Sequence, residues 1–79
     1  MIVRFADGQG RPVVGATVCV SASPEPHPDL AMLTDSKGEI DLDLTAAGTY
    51  GFMLYRNGQA IQVTTHIRSP DQLVALRID

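Results

Sequence analysis

Two tight turns, each feeding an alternating run, constrain this chain more than anything else in it. The first is Asp7-Gly8-Gln9-Gly10, leading through Arg11-Pro12 into Val13-Val14-Gly15-Ala16-Thr17-Val18. The second is Asp35-Ser36-Lys37-Gly38, leading into Glu39-Ile40-Asp41-Leu42. Asp is favoured at the first position of such turns and Gly where φ is positive, so the two are read as shared turn chemistry rather than as an internal repeat. Strict apolar-polar alternation after a turn implies a strand with one buried face. No window of helical length sustains a 3.6-residue apolar period, so the chain is expected to be all-β.

The alternation places the first strand over about Ile2 to Ala6, with Val3 and Phe5 sharing a face. A second is expected from Val14 to Ser21, with Ala16, Val18 and Val20 inward and Thr17 and Cys19 outward. The run Ser23-Pro24-Glu25-Pro26-His27-Pro28-Asp29 has prolines at alternate positions, which removes ladder donors and fixes φ, so it is a loop. Leu30 to Thr34 follows as a short edge strand, and Glu39 to Leu44 as a strand with Ile40, Leu42 and Leu44 inward. Tyr50 to Tyr55 points Tyr50, Phe52 and Leu54 inward. Asn57-Gly58 is the strongest hairpin signal, because both central residues of a type I′ turn need positive φ. It leads into Ile61 to Ile67, and after Ser69-Pro70-Asp71 the strand Leu73 to Ile78 closes the fold. Seven such strands in one domain, residues 1–79, predict a seven-stranded Greek-key β-sandwich of the immunoglobulin or transthyretin kind.

A chain of 79 residues makes one core and has no room for a second. With two Phe, two Tyr and no Trp, that core is expected to be aliphatic. The net charge is −3 and the six basic residues are scattered, which excludes nucleic acid as a main partner, since that affinity comes from clustered Lys and Arg. One cysteine makes no internal disulfide, and two histidines with it are too few for a zinc site, so neither a metal nor a cofactor is expected. No segment approaches the ~20 apolar residues of a membrane span. The start, Met1-Ile2-Val3-Arg4-Phe5, lacks the pattern of a signal peptide, so the expected location is the cytoplasm. A secreted or periplasmic location stays open if the chain is a segment of a longer parent.

The combination Asp7-Gly8-Gln9-Gly10, Pro12-Val13, Gly15-Ala16-x-Val18, Thr34-Asp35-x-x-Gly38 and Gly48-Thr49-Tyr50 resembles the transthyretin-like, or carboxypeptidase-regulatory-like, β-sandwich family over nearly the whole chain. The resemblance implies the fold more firmly than a function, because modules of this kind serve as accessory domains, adhesin stalk units, cargo-binding tails of secretion spikes and, in one branch, enzymes. That branch, hydroxyisourate hydrolase, carries a histidine in its first strand and a closing Tyr-Arg-Gly-Ser segment. Here the first strand reads Ile2-Val3-Arg4-Phe5 and the chain ends Leu76-Arg77-Ile78-Asp79, so no catalytic residue is carried over.

The candidate sites divide by chemistry. Asp41 and Asp43, two apart on an outward strand face, have the spacing of paired carboxylates, but an exposed strand supplies nothing to shift either pKa. Asp35-Ser36-Lys37-Gly38-Glu39 has a superficial likeness to a calcium loop without its alternating ligands, and a hairpin turn accounts for it better. Glu25-Pro26-His27-Pro28-Asp29 holds a histidine between carboxylates on a stiff loop, where rigidity lowers the ordering cost of binding a partner. His66 shares a polar face with Gln62 and Thr64. Cys19 has no identifiable activating neighbour and is read as unreactive. Ile2, Met53, Tyr55, Leu73 and Ala75 are placed outward, and any of them brought together would form a patch suited to a partner.

The function expected from these residues is a non-catalytic protein-interaction or assembly module, binding a protein partner or its own copies through a strand edge or an exposed sheet face. Pro26, His27, Pro28, Met53 and Tyr55 are its candidate contact residues. Two other readings stand beside it. One is a small oligomeric hydrolase of the hydroxyisourate-hydrolase type, with His27, His66, Arg68 and the outer aspartates meeting at a subunit interface. The other is a carbohydrate-binding or adhesive module, against which the absence of Trp counts.

Overall fold

Alternation in the sequence becomes sidedness in the strands. The computed structural model describes residues 1–26, 31–44 and 46–78, and those residues form strands and turns with no helix. The strands are β1 (Ile2–Ala6), β2 (Thr17–Ala22), β3 (Ala31–Leu33), β4 (Glu39–Asp41), β5 (Gly48–Arg56), β6 (Gln59–Ile67) and β7 (Val74–Arg77). They build a three-stranded sheet in the order β4-β1-β7 and a four-stranded sheet in the order β3-β2-β5-β6. The two sheets pack face to face on one core, as a small β-sandwich.

Val3 and Phe5 of β1, Val18 of β2, and Tyr50, Phe52 and Leu54 of β5 are fully buried, as their alternation predicts. Ile40, Leu42 and Leu44 are buried too. The expectation of a purely aliphatic core needs correction: Tyr50, Phe5 and Phe52 are its largest buried side chains. Phe5 meets Phe52 edge to face across the sheets, with ring centroids 5.6 Å apart at 81°. Tyr50 lies parallel to Phe52, and its hydroxyl donates to Ala46 O at 2.6 Å. Burial, with a smaller push from Glu25, raises the Tyr50 phenol above its ordinary 10.0 and keeps it a donor. A few aromatics thus fill the space between sheets where aliphatic side chains alone fall short.

Strand limits move for identifiable reasons. The second strand begins at Thr17 rather than Val14, because Gly15 takes φ 73° and breaks the extended path. The strand expected to reach Leu44 ends at Asp41: its neighbour β1 pairs with it only from Ile2 to Arg4, so the ladder stops while the inward alternation continues. The strand expected over Leu30–Thr34 is Ala31–Leu33, with Leu30 outside the described residues. The last strand is likewise shorter, Val74–Arg77, although Ile78 remains buried and its N–H donates to Ala6 O at 2.9 Å. The β5–β6 hairpin is longer than alternation suggests, because Arg56↔Gln59 and Tyr55↔Ala60 pair across the Asn57-Gly58 turn whatever their polarity. Both turn residues have positive φ, 54° and 76°, as a type I′ turn requires.

One pairing lies beyond the reach of periodicity. β1 and β7 run parallel, with Val3↔Val74 and Phe5↔Leu76 in register. Parallel neighbours need a long connection. Here the connection is the rest of the sandwich.

The two Asp-x-x-Gly turns have the same anatomy. Gly10 N donates to Asp7 O at 3.0 Å and Gly38 N to Asp35 O at 2.9 Å, while the Asp7 and Asp35 amides donate to Arg11 O and Glu39 O at 2.9 and 3.1 Å. Asp7 Oδ1 accepts from the amides of Gln9 and Arg11, both at 2.9 Å, and Asp35 Oδ1 from those of Lys37 and Glu39 at 2.9 and 3.0 Å. The second turn is not a hairpin as expected. β3 and β4 lie in different sheets, and the turn carries the chain between them.

These bonds favour the charged carboxylates. The Arg11 amide, then that of Gln9, holds Asp7 below its ordinary 3.8 against an opposing effect of burial, and the amides of Glu39 and Lys37 do the same for Asp35. A carboxyl whose folded pKa is depressed contributes stability that is complete above its unfolded pKa and disappears as the pH falls through the folded value. Urea unfolding followed downward from about pH 5 is therefore expected to lose stability below about pH 4. Asn still accepts the amide bonds but has no charge to lose. The double variant Asp7→Asn, Asp35→Asn is thus expected to give a flatter acid limb, and an unchanged limb would show that the turns do not carry it.

Candidate functional site

The outer faces of the two sheets differ in kind. Register partners share a face, so the outer face of the three-stranded sheet holds Ile2, Arg4 and Ala6 of β1, Glu39 and Asp41 of β4, and Ala75 and Arg77 of β7. It is a charged surface, with Arg4 Nε donating to Glu39 Oε2 at 2.8 Å.

On the four-stranded sheet the same rule gives rows. Leu33, Thr17, Tyr55 and Ala60 form one, and Ala31, Cys19, Met53 and Gln62 the next. Beyond them Gly51 lies opposite Thr64, and Thr49 opposite His66, with Thr49 Oγ1 at 3.4 Å from His66 Nδ1. None of these positions holds Asp, Glu, Lys or Arg. Leu33 is 69% exposed and Tyr55 49%, while Thr17, Cys19 and Met53 between them are half-buried. The result is a surface of apolar, hydroxyl and amide groups.

Leu33 faces outward because its neighbour Thr34 is needed inside. Thr34 is buried, its Oγ1 accepts from Ala16 N at 2.9 Å, and its own N–H donates to Ala16 O at 2.9 Å. An amide next to the core left without that hydroxyl would cost about 1–3 kcal/mol, which offsets what burying one leucine would return. Sequence reasoning missed Leu33 and Ala31, since polarity alone points Leu33 inward. The available signal was Thr34, directly before the turn and out of phase with the leucine.

Met53 and Tyr55 face outward, as the alternation predicts, on the outer face of the four-stranded sheet. Ile2, Leu73 and Ala75 are not with them: they belong to the other sheet's side, so the outward apolar residues make no single patch. Ile2 and Leu73 line a cleft of about 610 Å³ together with Met1, Asp41, Leu44 and Asp71. Pro26 is exposed at the end of the described proline run, and His27 and Pro28 lie outside the described residues. Asp43 follows the end of β4, so the expected pair on one strand is not formed, and both Asp41 and Asp43 are exposed. His66 and Asp41 are on opposite outer faces, which no single chain brings together. Cys19 is half-buried between Ala31 and Met53. Among the described residues no three His, Cys, Asp or Glu side chains gather where a metal ion would fit, and no helix is long and apolar enough to cross a membrane.

No protein-family model matches this chain, and no curated protein is significantly similar to it in sequence.

Proposed function

We propose that this domain is a non-catalytic protein-interaction module of the transthyretin-like, Greek-key sandwich kind, and that it binds a protein partner with the outer face of its four-stranded sheet. The chain passes from one sheet to the other between β1 and β2, β3 and β4, β4 and β5, and β6 and β7, which supports the Greek-key reading. The observation that carries the function is the asymmetry of charge: one sheet's outer face bears Arg4, Glu39, Asp41 and Arg77, while among the described residues the paired strand positions on the other's outer face hold no Asp, Glu, Lys or Arg. Depletion of charge around aromatic and methionine anchors distinguishes the centre of a protein interface from ordinary surface. Tyr55 and Met53 are such anchors, flanked by Leu33.

Affinity capture with the purified domain tests this, followed by calorimetry on whatever partner it retains. Tyr55→Ala is expected to weaken that partner about 30-fold, the effect of a central anchor. Arg77→Ala, on the opposite face, is expected to leave the affinity unchanged. Equal effects of the two variants, or a domain that retains no partner, would refute the proposal.

A further inference from the structure

β6 ends the four-stranded sheet as a nine-residue edge. Sheets ordinarily blunt such an edge by shortness, charge, proline or a bulge. The other edge strands obey this: β3 and β4 have three residues each, and β7 has four and ends on Arg77. β6, Gln59-Ala60-Ile61-Gln62-Val63-Thr64-Thr65-His66-Ile67, has no Asp, Glu, Lys, Arg, Pro or Gly, and its register with β5 is unbroken.

The hairpin turn determines which groups this edge presents. A two-residue turn makes Arg56 and Gln59 a hydrogen-bonded pair, and bonded pairs then alternate, so Gln59, Ile61, Val63, Thr65 and Ile67 bond to β5. The N–H and C=O groups of Ala60, Gln62, Thr64 and His66 point away from the sheet. Among the described residues no other backbone group bonds to them.

We propose that β6 pairs antiparallel with β6 of a second copy, about a twofold axis at Val63, to make one continuous eight-stranded sheet. This register sets Ala60 against His66 of the second copy and Gln62 against Thr64 of the second copy. It uses every outward backbone group of the edge, and each of these pairs exchanges two hydrogen bonds. Val63 then meets its own counterpart and Ile61 meets Thr65, all on the core side. A shift by one residue would set bonded positions against unbonded ones and turn the side chains to the wrong face. The occupant is a second copy because the strand has no charge to repel itself and none to select a partner of opposite sign, while the twofold lets one sequence satisfy both sides. The dimer would also join two uncharged outer faces into one. The edge pairs through backbone groups and the face binds through side chains, so the fate of the heteropartner reading does not decide this one.

Analytical ultracentrifugation over a range of concentrations tests the register with two variants at exposed positions. Gln62→Lys with Thr64→Lys sets lysine against lysine twice and is expected to weaken the dimer tenfold or more. Gln62→Lys with Thr64→Glu sets lysine against glutamate in the same places and is expected to keep the dimer, which also shows that changes at these positions leave the fold intact. A wild-type chain that stays monomeric, including one that pairs only with a foreign strand, overturns the proposal. So does a dimer that survives the double lysine, or one lost equally in both variants.

Discussion

Alanine at Gly38 is expected to destabilise the domain by about 2–5 kcal/mol, adding the ~1–2 kcal/mol of a left-handed backbone to the ~1–3 kcal/mol of overpacking. Gly38 has φ 75°, and a Cβ there would lie 2.5 Å from Phe5 O and 2.9 Å from Val13 N. Those are backbone atoms, and they are engaged: Phe5 N donates to Gly38 O at 2.8 Å, and Val13 N to Phe5 O at 3.0 Å. Relief would require moving the second turn off β1, which separates the point where the chain changes sheets from the strand at the centre of the other sheet. Gly10 is the control. It holds the matching place in the first turn with φ 81°, but its nearest neighbour would be an arginine tip at 3.9 Å. Gly10→Ala should therefore cost only about 1–2 kcal/mol, the backbone term alone. Against a total of ~4–12 kcal/mol for a domain of this length, the difference is easily read by urea unfolding. Equal losses in the two variants would show that the close approach at Gly38 does not matter.

That contrast marks the limit of what the residues disclose by themselves. Asp at the first turn position and Gly at the fourth were legible as turn chemistry, because the required φ and the Asx bonds are local. That one of the two turns docks against the backbone of Phe5 and the other meets only the tip of Arg77 is tertiary, and no spacing in the sequence encodes it. The same division runs through the fold. Val3, Phe5, Tyr50, Phe52 and Leu54 could be placed by counting in twos, since a strand's sidedness is local. The parallel pairing of β1 with β7 could not, because it joins segments from opposite ends of the chain.

The candidate site was legible to the same depth. Met53 and Tyr55 announce an outer face by alternation, but that face is a site only in company. Its extent depends on β3 and β6 lying on either side of β2 and β5, which brings Leu33 beside Thr17 and Gln62 beside Met53. Strand order likewise makes β6 an edge; its lack of charge was visible in the sequence, and its consequence was not. The same nine residues in the middle of a sheet would be unremarked. The side chains that resemble catalytic machinery are dispersed by the fold, with His66 on one outer face and Asp41 on the other.

Phe52→Ala is expected to cost about 3–5 kcal/mol, the range for emptying a buried aromatic site, and in a domain this small that approaches the whole stability. Phe52 is fully buried on β5, in contact with the parallel ring of Tyr50 on its own strand and the near-perpendicular ring of Phe5 on the opposite sheet. Little nearby can collapse into the gap, because the flanking Leu54 and Val18 are tied into the ladder and Phe5 is pinned by β1's bonds to the second turn. Where alanine leaves too little folded protein to measure, leucine at the same place retains most of the volume and removes the ring. A cycle of Phe5→Leu, Phe52→Leu and the double variant then isolates the edge-to-face contact, for which about 0.5–1.5 kcal/mol of coupling is expected. Val3→Ala with Phe52→Leu supplies the comparison: Val3 is buried on the same β1 face but has no ring. Coupling for the Phe5 cycle no larger than for the Val3 cycle would mean that the two sheets are held by buried area alone. The larger coupling expected here would mean that three aromatic rings, in a chain with only four, align the sheet carrying the uncharged face against its scaffold.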